Sequence, residues 1–227
     1  MKYILKILFI TVAISSVILM SSCSKKEKTD TDKNTDSIIT EDTSAPVDEK
    51  NTENEKNTVI TDEEKAVNII NSYVNAAKKL DFESMSRYIS DNRLPILDSY
   101  REAYAVYSVS DERIRELCKA RLSTYKITPV SAAKNENNIV VKTNISMVNM
   151  ESLENKWMET LCNKYPEYTA LAADEMTPEV VDVLIQTMID VLKEAESTIE
   201  VQKDFTLTAK GDSWIINAKN EDFFPSN

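Results

Sequence analysis

Asn138-Ile139-Val140-Val141-Lys142-Thr143-Asn144-Ile145-Ser146-Met147-Val148-Asn149 is the stretch on which the fold turns. Ile139, Val141, Thr143, Ile145 and Met147 fall at every second position. On an extended chain that places them on one face, with Lys142, Asn144 and Ser146 on the other. This is the pattern of a half-buried strand. Leu122–Ala132 alternates in the same way just upstream, and Lys134-Asn135-Glu136-Asn137 supplies the turn between the two. A hairpin is expected.

Upstream of that hairpin the period is helical. Thr61-Asp62-Glu63-Glu64 has the form of a capping box, with Thr61 at the N-cap and Glu64 three residues on. Ala66, Ile70, Tyr73, Ala77 and Leu80 then form one apolar stripe. Asp81 reads as the N-cap of a second helix from Phe82 to about Ser90. A third helix is expected over roughly Arg93–Tyr107 and a fourth over Asp111–Arg121. Downstream, helices return over Ser152–Lys164 and from Thr177 to Ser197, the latter with threonine at the N-cap and Pro178 at its first position. Ile199, Val201, Phe205, Leu207 and Ala209 then alternate, Lys210-Gly211-Asp212 turns the chain, and Trp214–Ala218 closes it. Helices, hairpin, helices, hairpin is an α+β pattern: helices packed on one face of a small antiparallel sheet of about four strands. Residues 61–227 suit one such domain.

The chain before it is of two other kinds. Lys2 and Lys6 precede an almost unbroken apolar run, Ile7–Met20, too short for a comfortable permanent membrane span. Leu19-Met20-Ser21-Ser22-Cys23 resembles the lipobox of bacterial lipoproteins. That resemblance implies a signal peptide over 1–22, cleavage before Cys23, and acyl chains on Cys23 as the lipidation site. Residues 23–60 are then rich in Lys, Asp, Glu, Thr, Asn and Ser, too polar to offset ordering entropy, and are expected to be a disordered tether. A coil of that length averages roughly 30–35 Å end to end.

Composition excludes several chemistries. The formal charge is −11, and loss of Lys2 and Lys6 with the leader makes it −13, a poor partner for nucleic acid. No polybasic cluster favours anionic lipid either, so the acyl chains must supply the membrane attachment. Histidine is absent and there is one glycine, Gly211. Histidine triads, histidine zinc sites, Walker loops and dinucleotide-binding glycine motifs are therefore ruled out. Scarce glycine also removes the usual residue for positive φ, which favours long helices and simple hairpins. Glu194–Glu196 lacks the spacing of a calcium loop, and no metal or cofactor is implied. Of the three cysteines, Cys118 and Cys162 sit beside apolar residues in helical patterns. They read either as buried thiols or as a disulfide that an exported domain permits.

The run Tyr73-Val74-Asn75-Ala76-Ala77-Lys78-Lys79-Leu80-Asp81-Phe82-Glu83-Ser84-Met85 resembles the opening helix pair of the ketosteroid isomerase/nuclear transport factor two-like superfamily. Gly211-Asp212-Ser213-Trp214-Ile215-Ile216 resembles its final hairpin. The resemblance implies a cone-shaped pocket between sheet and helices, and no catalytic residue is carried over.

Candidate site residues are few. Asp81 and Asp91 bracket the second helix, and a carboxylate pair does acid–base work when burial separates the two pKa values. Helix-boundary capping is the plainer role for both. Tyr100, Tyr104 and Tyr107 share one helical face and offer phenol handles for a ligand, or simply pack. Trp214 reads as a core anchor, and Trp157 as partly exposed. The expectation is an extracytoplasmic, membrane-anchored lipoprotein whose domain binds a small molecule or an envelope protein without catalysis. Alternatives are an isomerase or dehydratase using a buried carboxylate with a tyrosine such as Tyr104, and a structural or immunity-type envelope protein.

Overall fold

A computed structural model describes residues 60–225 apart from 92, 173, 174 and 197; the leader 1–22, Cys23 and the tether up to residue 59 lie outside the described residues. The first helix, α1, runs Asp62–Lys79. Its capping box forms as the sequence indicates: the Thr61 amide donates to Glu64 Oε2 at 2.9 Å and the Glu64 amide to Thr61 Oγ1 at 3.2 Å. At the other end Leu80 takes φ 57°. Its N–H meets the Ala77 carbonyl and the Asp81 N–H meets that of Ala76, the two bonds of a helix-ending motif usually built on glycine. With one glycine in the chain, Leu80, Ser108 and Glu136 adopt positive φ beside Gly211. Glycine scarcity was expected to suppress such turns; the chain makes them with other residues, at a strain cost of about 1 kcal/mol each.

Asp81 caps α2, Phe82–Met85. This helix stops well short of Ser90 because the chain is needed elsewhere: Ile89 forms a parallel bridge to Ile216, and the Ile216 amide donates to the Tyr88 carbonyl at 2.8 Å. Helix α3 is Pro95–Tyr104, opened by proline at its first turn and followed by a 3-10 turn over Ala105–Tyr107. Helix α4 is Asp111–Ser123, with Ser110 as N-cap. It extends past Arg121, so Leu122 belongs to the helix and strand β1 begins at Lys126.

The sheet is an antiparallel meander in the order β1-β2-β3-β4: Lys126–Asn135, Asn138–Met147, Ile199–Lys210 and Ser213–Ile216. Asn135 pairs with Asn138 across a two-residue turn, and a bulge between Pro129 and Ser131 breaks the edge strand β1. Bulge and proline both discourage pairing with a further strand. Every second residue of β2 from Ile139 to Met147 is buried, as its alternation requires. The opposite face is a polar ladder: Gln202 Nε2 donates to Asn144 Oδ1 at 3.0 Å and Thr208 Oγ1 to Asn138 Oδ1 at 3.1 Å. The fold is α+β, with helices on the inner face of the four-stranded sheet.

Between β2 and β3 stand α5, Met150–Lys164, and α6, Pro178–Lys193. Trp157 of α5 is 1% exposed and its indole N–H donates to the Leu184 carbonyl at 3.3 Å, so it is a core residue and not a partly exposed one. Helix α6 docks on α4 through Arg113, which bonds Asp182 at 2.7 Å and Gln186 at 2.8 Å. A last short helix, α7, Asn220–Phe223, has no counterpart in the sequence pattern. It inserts Phe223 flat against Phe205, centroids 3.8 Å apart, and beside Tyr73 at 4.6 Å. Burying one such ring stabilises by about 2–3 kcal/mol.

Candidate functional site

Asp81 sits at the N-cap of α2, where Ser84 gives it both its amide, at 3.0 Å, and its hydroxyl, at 2.7 Å. Those bonds, the hydroxyl's first, hold the carboxyl below the usual carboxylate range. Asp91 lies in the loop before α3 and accepts the Arg93 amide and two guanidinium nitrogens, at 3.1–3.2 Å. It too is held low, first by the guanidinium and then by the amide. A general acid at neutral pH needs the opposite shift. The carboxyl of Glu154 is raised, by burial and then by Glu151.

Tyr100 and Tyr104 are brought together, ring centroids 6.5 Å apart, and both are buried; Tyr107 in the following 3-10 turn is half-buried. Burial raises the phenols of Tyr100 and Tyr104, with the neighbouring Arg121 cation pulling Tyr100 partly back. The stripe therefore faces the core. The phenol that Asp91 influences is Tyr73, raised mainly by burial and further by that carboxylate. Tyr73 donates to Asn220 Oδ1, so its proton is already committed.

Asn220 closes one small hollow. Its side-chain amide donates to the carbonyls of Asp91, at 2.9 Å, and Arg93. Around it, Asp91, Arg93, Pro95, Lys219 and Glu221 line a polar pocket of ≈ 100 Å³. That volume suits a few waters, against several hundred Å³ for a typical organic ligand. Its two cations and two carboxylates leave no net charge to select an ion.

The second feature is Arg121, which the sequence reading took only as a helix end. It is 2% exposed, on the face of α4 that also buries Ile114, Leu117 and Cys118. Helical spacing from Ile114 was the available signal. Arg121 Nη2 donates to the Tyr125 hydroxyl at 3.3 Å, and the guanidinium carbon lies 5.3 Å from the centre of the Tyr125 ring. Nε and Nη1 have no hydrogen-bond partner among the described residues. Tyr125 is held from several sides: its hydroxyl donates to the Pro225 carbonyl at 2.7 Å, Phe224 meets its ring edge-on at 5.4 Å, and Lys78 Nζ donates to its carbonyl at 2.6 Å. Burial lowers Lys78. Cys118 is a buried thiol pushed up to about 12, first by burial, and it is not joined to Cys162.

Among the described residues no group of three or more metal-ligating side chains occurs, and no helix is long and apolar enough to cross a membrane. No protein-family model matches the chain, and no curated protein sequence does. Among solved structures, the chain is similar to the crystal structure of a proposed lipoprotein, ycdA, from Bacillus subtilis. The TM-score is 0.48 and the identity 11%, over 70% of this chain and 53% of the other, so this chain matches about half the length of that protein. None of these findings bears on the resemblance to the ketosteroid isomerase/nuclear transport factor two-like superfamily.

Proposed function

We propose that this chain is a lipoprotein, held on the outer side of a cell membrane by acyl chains on Cys23. Its α+β domain binds a small molecule or an envelope protein without transforming it. The observation that carries the first part is Leu19-Met20-Ser21-Ser22-Cys23, closing an apolar run and followed at once by polar chain. Two acyl chains, at ~0.8 kcal/mol per buried CH₂, suffice for stable attachment to lipid. Tethering then raises the domain's effective concentration at the surface.

Binding is favoured over isomerase-type catalysis by the state of Asp81 and Asp91, the two carboxylates that such a reading would use. Asp81 and Asp91 are held low by hydrogen bonds, while Tyr104 is buried in the stripe with Tyr100. The experiment is fractionation of the native protein beside a Cys23→Ala variant. The native protein should partition with membranes and the variant should be released or remain unprocessed. Equal behaviour of the two overturns the anchor.

A further inference from the structure

We propose that Arg121 is the receptor for a carboxylate, which gives the binding domain a ligand class. A guanidinium carries five N–H donors. Nη2 spends one on Tyr125, while Nε and Nη1 find no acceptor among the described residues. No ion pair among the described residues includes Arg121. An unpaired ion in this surrounding is strongly disfavoured. Its compensation here is partial: one hydrogen bond, one ring face, and the carbonyl end of α4, in whose last turn Arg121 lies. Stability alone favours an apolar side chain at such a position, since buried ions replaced by well-packed hydrophobic residues are commonly tolerated or better. A bound anion removes the conflict.

The charge count selects the anion. Arg121 presents one positive charge, and Lys78, which also reaches Tyr125, is bonded to the Tyr125 carbonyl. One negative charge balances it. A phosphate dianion leaves excess charge among Tyr100, Tyr125 and Phe224, where burial penalises it. A carboxylate supplies a single charge and two oxygens suited to guanidinium N–H groups. Phe224 and Pro225 cover Tyr125 through one ring contact and one hydrogen bond, and this tail must lift to admit the carboxylate.

The inference rests on the binding reading but is independent of the anchor at Cys23, so either can fail alone. The test follows thermal unfolding of the full chain in sodium acetate, chloride and phosphate at matched ionic strength. Acetate should raise the wild-type midpoint by a few degrees and saturate, beyond the non-saturating rise that excluded anions such as phosphate give any fold. In Arg121→Met the saturable acetate shift should vanish while the fold persists. Equal midpoints in acetate and chloride, a shift confined to phosphate, or an unchanged acetate shift in Arg121→Met each overturn the assignment. Should that variant not fold, the arginine Nε–H signals of ¹⁵N-labelled wild type serve instead. Acetate titration should move the signal of one solvent-protected arginine, and failure of any such signal to move is equally fatal.

Discussion

Tyr73 donates its hydroxyl proton to the side-chain oxygen of Asn220 across 147 positions of sequence, and both groups are buried. The same asparagine binds the carbonyls of Asp91 and Arg93 through its amide nitrogen. One side chain thus joins α1, the loop before α3, and α7. Removing it leaves a phenol and two carbonyls without this partner. Asn220→Ala should destabilise the domain by about 3 kcal/mol, read as a lower urea midpoint at unchanged slope. A change within about 0.5 kcal/mol would show that the knot contributes nothing.

Thr143 points into the core from the middle of β2, fully buried, and its hydroxyl has no hydrogen-bond partner among the described residues. Valine has nearly the same shape without that hydroxyl. Thr143→Val should therefore stabilise by about 1 kcal/mol. A loss of stability would mean that the hydroxyl has a partner in solution.

Leu80 sets two effects against each other. Its positive φ costs about 1 kcal/mol, which glycine would relieve. Its side chain is buried, and deleting it forfeits about 2–5 kcal/mol of transfer and cavity terms. Burial wins, so Leu80→Gly should destabilise by about 2 kcal/mol in urea unfolding. A stabilised variant would put strain, not packing, in control of this helix end.

Strand β2 was legible because alternation survives wherever one face is buried and the other wet: Ile139 to Met147 could be read residue by residue, whereas β1 was placed too early, its first expected residues belonging to α4. Three helix starts were legible for the same local reason, since Thr61, Asp81 and Thr177 each cap the turn they precede. Helix α5 opens at Met150 under an Asn149 cap, ahead of the expected Ser152, and α3 opens at Pro95 with no side-chain cap. What escaped was decided at long range. Helix α2 stops early because Ile89 is taken by Ile216, far along the chain. Helix α7 is too short to show a period and is held by Tyr73 and Phe205. Arg121 escaped for a different reason. An arginine at a helix end ordinarily reads as a solvated cation favoured by the helix dipole, and only the packing of α4 shows it buried.

The response to pH should be one-sided. Asp62, Asp81, Asp91, Asp111 and Asp222 all have folded-state values below their ordinary ones, through bonds to Lys134, Ser84, Arg93, Arg101 and the Lys219 amide respectively. Each contribution is complete above the unfolded carboxylate range, about pH 4, and is lost as pH falls through the depressed folded value. Glu154, raised by burial, works in the opposite sense and offsets part of that loss. With no histidine in the chain, stability should be nearly flat between about pH 5 and 8 and should fall below about pH 4. Urea midpoints across that range check it; a step near pH 6–7 would contradict it.

The anchor at Cys23 is tested most directly by the mass of the N-terminal peptide of the native, membrane-fraction protein. The account predicts a peptide that begins at Cys23 and carries acyl chains. A peptide beginning at Met1 and free of fatty acid, recovered from the cytosol, would contradict it.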